Sequence, residues 1–91
     1  MKFEDYLSDE KTIYTITDDH DERSTITVEK WVGDLLQAND PDVHAWIQAK
    51  YEHVLRRLPE LSRRERGNVV RELARREAEK CEGFIPIADF L

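Results

Sequence analysis

The chain is poor in the residue types that most often carry chemistry. It holds a single cysteine, Cys81, which excludes an internal disulfide and a cysteine-based zinc site. Its three glycines, Gly33, Gly67 and Gly83, stand far apart, so no glycine-rich phosphate loop can be built from them. No run approaches the roughly 18 apolar residues of a membrane span. The opening Met1-Lys2-Phe3-Glu4-Asp5 is acidic where a secretory signal would be basic and then apolar, so a cytoplasmic protein is expected. Histidine is scarce and scattered. His44 and His53 fall about 180° apart around one helix and cannot share a metal, and His20 sits in a loop. Each reads as a solvated surface group.

What remains is a chain of 91 residues, enough for one domain with a small core. The formal charge is −6, from 20 acids and 14 bases, but the acids and bases are not evenly mixed. Residues 1–55 sum to −8 and residues 56–91 to +2. Within the second part, 56–76 holds eight arginines and no lysine, for a local sum of +5. Arginine suits two-pronged contacts to carboxylate or phosphate, whereas lysine acts more as a point charge.

Hydropathy patterning predicts an α+β fold, with an N-terminal β-hairpin followed by three α-helices and a hydrophobic C-terminal tail packed back. Phe3, Tyr6 and Leu7 form one amphipathic turn ahead of it. The hairpin covers about residues 11–27, with strands Lys11–Thr17 and Ser24–Thr27 around an acidic loop. Tyr14, Ile16 and Ile26 share its buried face. A lone hairpin is barely stable, so it must pack on the helices, and its edge is the first place to look for intermolecular pairing.

The first long helix is expected over about 28–38, on the stripe Val28, Trp31, Val32, Leu35 and Leu36, with Thr27 as its cap. Gly33 inside it costs roughly 1 kcal/mol against alanine and marks a close helix–helix contact. Asp40-Pro41-Asp42 opens the second helix, about 41–58, with Asp40 as cap and Pro41 at the first helical position. The third, about 63–82, begins with the capping box Ser62-Arg63-Arg64-Glu65. Its inward stripe is thin, and Cys81 lies on it as a small hydrophobe. The tail, 84–91, carries five large apolar side chains; docking onto a partner is the alternative to packing back.

No catalytic residues, cofactor or metal are expected. The loop Asp18-Asp19-His20-Asp21-Glu22 has oxygen ligands but lacks the glycine and distant glutamate of a calcium loop. Nothing points to a cleft for paired carboxylates. Recognition is left, in two forms.

In the first, an acidic face formed by Asp18, Asp19, Asp21 and Glu22, with Asp9, Glu10, Asp34 and Asp42 behind them, engages a protein with a basic surface and inhibits it. Small acidic proteins that block nucleic-acid-handling machines, such as phage inhibitors of CRISPR complexes, share this composition. Immunity proteins and antitoxins do so too; the likeness is of composition, without a shared motif. In the second, Arg63, Arg64, Arg66, Arg71 and Arg75 of the third helix bind DNA as a transcriptional regulator would. The low pI of about 5.0 weighs against this second form. An acidic face meeting the arginine helix of a second copy would give a homodimer.

Overall fold

In the computed structural model, which describes residues 1–91, the chain is α+β, with a two-stranded antiparallel hairpin near the N-terminus followed by helices. A one-turn helix α1 (Phe3–Leu7) precedes strands β1 (Lys11–Thr17) and β2 (Arg23–Glu29). Helices α2 (Lys30–Asn39), α3 (Val43–Arg57) and α4 (Arg63–Ala78) come next, and a single 3-10 turn (Ile87–Phe90) closes the chain. No helix is long and apolar enough to cross a membrane.

The strand pairs run from Lys11↔Glu29 at one end to Thr17↔Arg23 at the loop end. Their period of two turns Tyr14, Ile16, Ile26 and Val28 to one face, where all four are buried. The helices cover that face with Trp31, Val32, Leu35, Leu36, Val43, Ile47, Tyr51, Val54 and Val70. The opposite face, with Ile13 among threonines, is open to solvent.

Three boundaries differ from the sequence reading. Val28 belongs to the strand, and α2 starts at Lys30 with Glu29 rather than Thr27 at its cap position. Val28 satisfies both periods, alternating with Ile26 and also standing three and four residues before Trp31 and Val32; pairing with Thr12 across the sheet decides for the strand. Helix α3 begins at Val43, capped by Asp42, whose side chain accepts from the Ala45 N–H at 3.0 Å. Asp40 instead accepts from the Asp42 N–H, so Asp40-Pro41 is the turn ahead of the helix. Helix α4 keeps its capping box, with Ser62 and Glu65 exchanging side-chain and backbone bonds, but ends at Ala78. Irregular turns lead from there to Gly83, whose φ of 95° suits a residue without a Cβ.

The thin stripe of α4 packs closely: Val70, Ala74 and Ala78 are fully buried and Gly67 faces Ile26. In the tail, Phe84 lies 5.7 Å from Trp31 and Phe90 lies 5.8 Å from Phe3, ring centre to ring centre. The Tyr6 hydroxyl donates to the Ile85 carbonyl, while Ile87 and Leu91 stay exposed.

Gly33 marks a helix–strand contact, not a helix–helix one. A Cβ added there would stand 2.5 Å from Thr12 Oγ1 and 2.7 Å from Thr12 Cβ. Overpacking of this kind typically costs about 1–3 kcal/mol. That outweighs the roughly 1 kcal/mol by which alanine exceeds glycine in a helix. Gly33→Ala is therefore expected to lower the urea midpoint. In a double-mutant cycle, Thr12→Gly should cost less in the Gly33→Ala background than alone; simple additivity would show that the two do not meet.

Candidate functional site

The acidic loop is built around one buried carboxylate. Asp18 Oδ1 accepts from the N–H groups of His20, at 3.0 Å, and Glu22, at 3.1 Å. The Asp18 N–H donates to the Glu22 carbonyl, and Asp21 completes the turn with a left-handed φ of 57°. The other Asp18 oxygen faces Arg63 of α4, whose Nη2 stands 2.6 Å away; the contact is ionic, outside hydrogen-bond angles. Arg63 also donates to Glu22 at 2.9 Å. Asp18 is buried, while Asp19, His20, Asp21 and Glu22 are exposed around it. The acid-rich and arginine-rich parts of the chain are thus joined here, across 45 positions of sequence.

The His20 N–H is the largest influence holding the Asp18 carboxyl below the usual aspartate range; burial opposes it, and the Glu22 N–H and Arg63 add to it. A carboxyl with a depressed folded value stabilises the fold above its unfolded value, near pH 4, and loses that contribution as pH falls through the folded value. Asp18→Asn retains an acceptor for the loop but cannot ionise. Its urea midpoint is expected to lie below that of the natural chain at neutral pH, with the gap closing below about pH 4. A gap unchanged down to pH 3 would sink this account.

The eight acids of the predicted face do not converge. Asp9 and Glu10 precede Lys11, at the end of the hairpin away from the loop, and six residue steps of about 3.3 Å put roughly 20 Å between the two ends. Asp34 pairs with Lys30 at 2.8 Å near that far end, where the Lys30 N–H also meets the Glu10 carbonyl. Asp42 serves as the cap of α3. Asp19, Asp21 and Glu22 form the one group presented together.

The five arginines are divided as well. Arg63 is bound to the loop. Arg66 is buried, donating to the Tyr51 hydroxyl at 3.1 Å and the Leu61 carbonyl at 2.6 Å. Arg75 lies between Glu72 and Glu79. Arg64 is without a bond to any other residue, and Arg71 donates to the Thr27 carbonyl and to Asn68, both neutral.

No family model, curated protein or solved structure matches this chain. The chemistry must be read from the side chains themselves. No three His, Cys, Asp or Glu side chains converge as a metal site would require. Cys81 is half-buried against the Glu77 carbonyl, and burial pushes its thiol up, with Glu77 and Asp40 adding to the shift. A protonated thiol is a weak nucleophile.

Sequence reasoning missed the bonds that His44 and Gln48 make to the backbone of β1. His44 is exposed, as expected, and its Nε2 donates to the Thr15 carbonyl. Gln48 both accepts from the Thr17 N–H, at 2.8 Å, and donates to the Thr17 carbonyl, at 2.9 Å. The four-residue spacing of His44 and Gln48, on one helical face, was the available signal.

Proposed function

We propose that the protein is a small binding module whose acidic hairpin loop engages a basic surface on a partner protein and inhibits it by occlusion. Surfaces that otherwise hold nucleic-acid phosphates are the kind it fits. The observation that supports this reading is the preformed loop: Asp18 and Arg63 are committed to holding its shape, and Asp19 and Asp21 are left to meet a partner, with the exposed Glu22 held beside them by Arg63. A loop already ordered before contact loses less conformational freedom on binding. Asp9, Glu10, Asp34 and Asp42 then act through the long-range field, steering encounter at low salt rather than touching the same partner surface.

The test uses the full chain, immobilised, against a lysate of its source cells, beside the triple variant Asp19→Asn, Asp21→Asn, Glu22→Gln. Asparagine tolerates the left-handed backbone at position 21, and Asp18 and Arg63 are retained, so the circular dichroism spectrum should be unchanged. The natural chain is expected to hold a partner that salt elutes and that the variant fails to hold. A partner held equally by both would remove the loop from the reading. The DNA-binding alternative is left with few free groups, because Arg64 and Arg71 are the two of the five arginines without a buried or carboxylate-bound guanidinium.

A further inference from the structure

The two edges of the hairpin are treated differently. Along β1, His44 and Gln48 bond the carbonyl of Thr15 and both backbone groups of Thr17. Thr15 and Thr17 therefore point their backbone groups away from β2. The alternation of an antiparallel ladder then makes Thr15↔Thr25 and Thr17↔Arg23 the pairs that exchange no hydrogen bonds. Arg23, Thr25 and Thr27 accordingly present their N–H and C=O groups along the outer edge of β2, where the sheet has no third strand. Arg71 takes the Thr27 carbonyl. Thr25 is left open, although natural sheets generally cover or blunt such an edge. Beside it runs an open groove of about 490 Å³, walled by Ser24 and Thr25 on one side and by Arg63, Arg64, Asn68 and Arg71 on the other.

We propose that this groove takes an extended acidic segment of a partner polypeptide, which adds to β2 as a third strand and sets its carboxylates against Arg64 and Arg71. The chemistry of the edge selects the occupant. It alternates N–H donors with C=O acceptors at strand spacing, which another polypeptide backbone complements. A phosphodiester backbone offers acceptors alone and would leave the Thr25 carbonyl facing phosphate oxygens. Charge selects in the same direction, because Arg64 and Arg71 have no carboxylate partner within the chain. A second copy is the poorer occupant: pairing β2 with β2 about a two-fold axis would bring two arginine walls together. The groove adjoins the loop through Arg63, but the proposal rests on the edge of β2 with Arg64 and Arg71, none of which the function proposed above uses.

The experiment is fluorescence anisotropy with the full chain and a labelled peptide of about eight residues that alternates glutamate with valine. The peptide is expected to bind, and Arg64→Gln, which breaks no bond within the protein, should weaken it; with Arg71→Gln added the loss should reach roughly tenfold or more. N-methylation of alternate peptide residues keeps every charge and removes the strand donors, and it should weaken binding comparably. Deuterium exchange at the Thr25 and Thr27 amides should slow when the peptide is bound. Four results would each overturn the proposal: no binding of the glutamate peptide; equal binding of its lysine counterpart or of an oligothymidylate of similar length; undiminished binding after N-methylation; or protection of the Thr25 amide in the free protein that grows with protein concentration, which would put a second copy on the edge.

Discussion

Tyr51→Ala is expected to lower stability by about 3–5 kcal/mol. That is a large part of the roughly 5–14 kcal/mol implied for a chain of this length. Tyr51 is fully buried, the largest side chain in the molecule to be so. Its ring fills the space where α3 faces α4, and its hydroxyl accepts from Arg66 Nε. Truncation removes both the volume and the acceptor. Tyr51→Phe separates them, because it keeps the ring and removes the oxygen; about 1.5–3 kcal/mol is expected for that loss, since the bond is to a buried charged group. Urea unfolding followed by circular dichroism measures both. A cost below 1 kcal/mol for the alanine variant would mean that the neighbouring helices close over the gap, contrary to the packing described.

Arg66→Met should cost about 2–3 kcal/mol, although methionine preserves much of the buried stem. The guanidinium reaches three ways: to the Tyr51 hydroxyl, to the Leu61 carbonyl, and to within 3.9 Å of an Asp19 oxygen. Leu61 lies in the turn just before α4, so the bond to its carbonyl ties that turn to α4, and the bond to Tyr51 ties α4 to α3. Removing the donor strands two acceptors in a region with little access to water. Arg66→Lys is expected to recover only part of the loss, since a single ammonium group cannot span acceptors placed around a planar fork. Full recovery by lysine, read from the same urea curves, would show that charge rather than geometry matters there.

The order of the elements was legible because each has a strong local signature. Tyr14, Ile16 and Ile26 alternate in a run of β-branched residues, and all three are buried together. Ser62 and Glu65 announce the start of α4, and Val43, Ile47, Tyr51 and Val54 keep a helical period through α3. Boundaries failed where one residue satisfies two rules, as Val28 does, or where two equivalent caps compete, as Asp40 and Asp42 do. The candidate site was less legible. Asp18 stands among acids of the same type, but it continues the alternation of Tyr14 and Ile16, which turns it inward to receive the N–H groups of His20 and Glu22. What nothing local shows is its ionic partner, Arg63, far along the chain. Arg66 did carry a signal, since it lies four residues before Val70 and eight before Ala74, on the buried stripe of α4. An arginine on an apolar stripe is better read as an internal hydrogen-bond donor than as a surface charge.

The Gln48 amide, set against Thr17 in the manner of a neighbouring strand, bears on how the chain opens and closes. The hairpin cannot satisfy the outer edge of β1 until α3 has docked, and α3 has few other polar ties to the sheet. Strand pairing and helix docking therefore belong to one cooperative unit, whose amides should exchange with solvent together and at the rate of global unfolding. The Thr25 side of β2 has only the bond from Arg71 to the Thr27 carbonyl, which engages no amide. Its outward amides are free to exchange while the rest of the molecule stays closed.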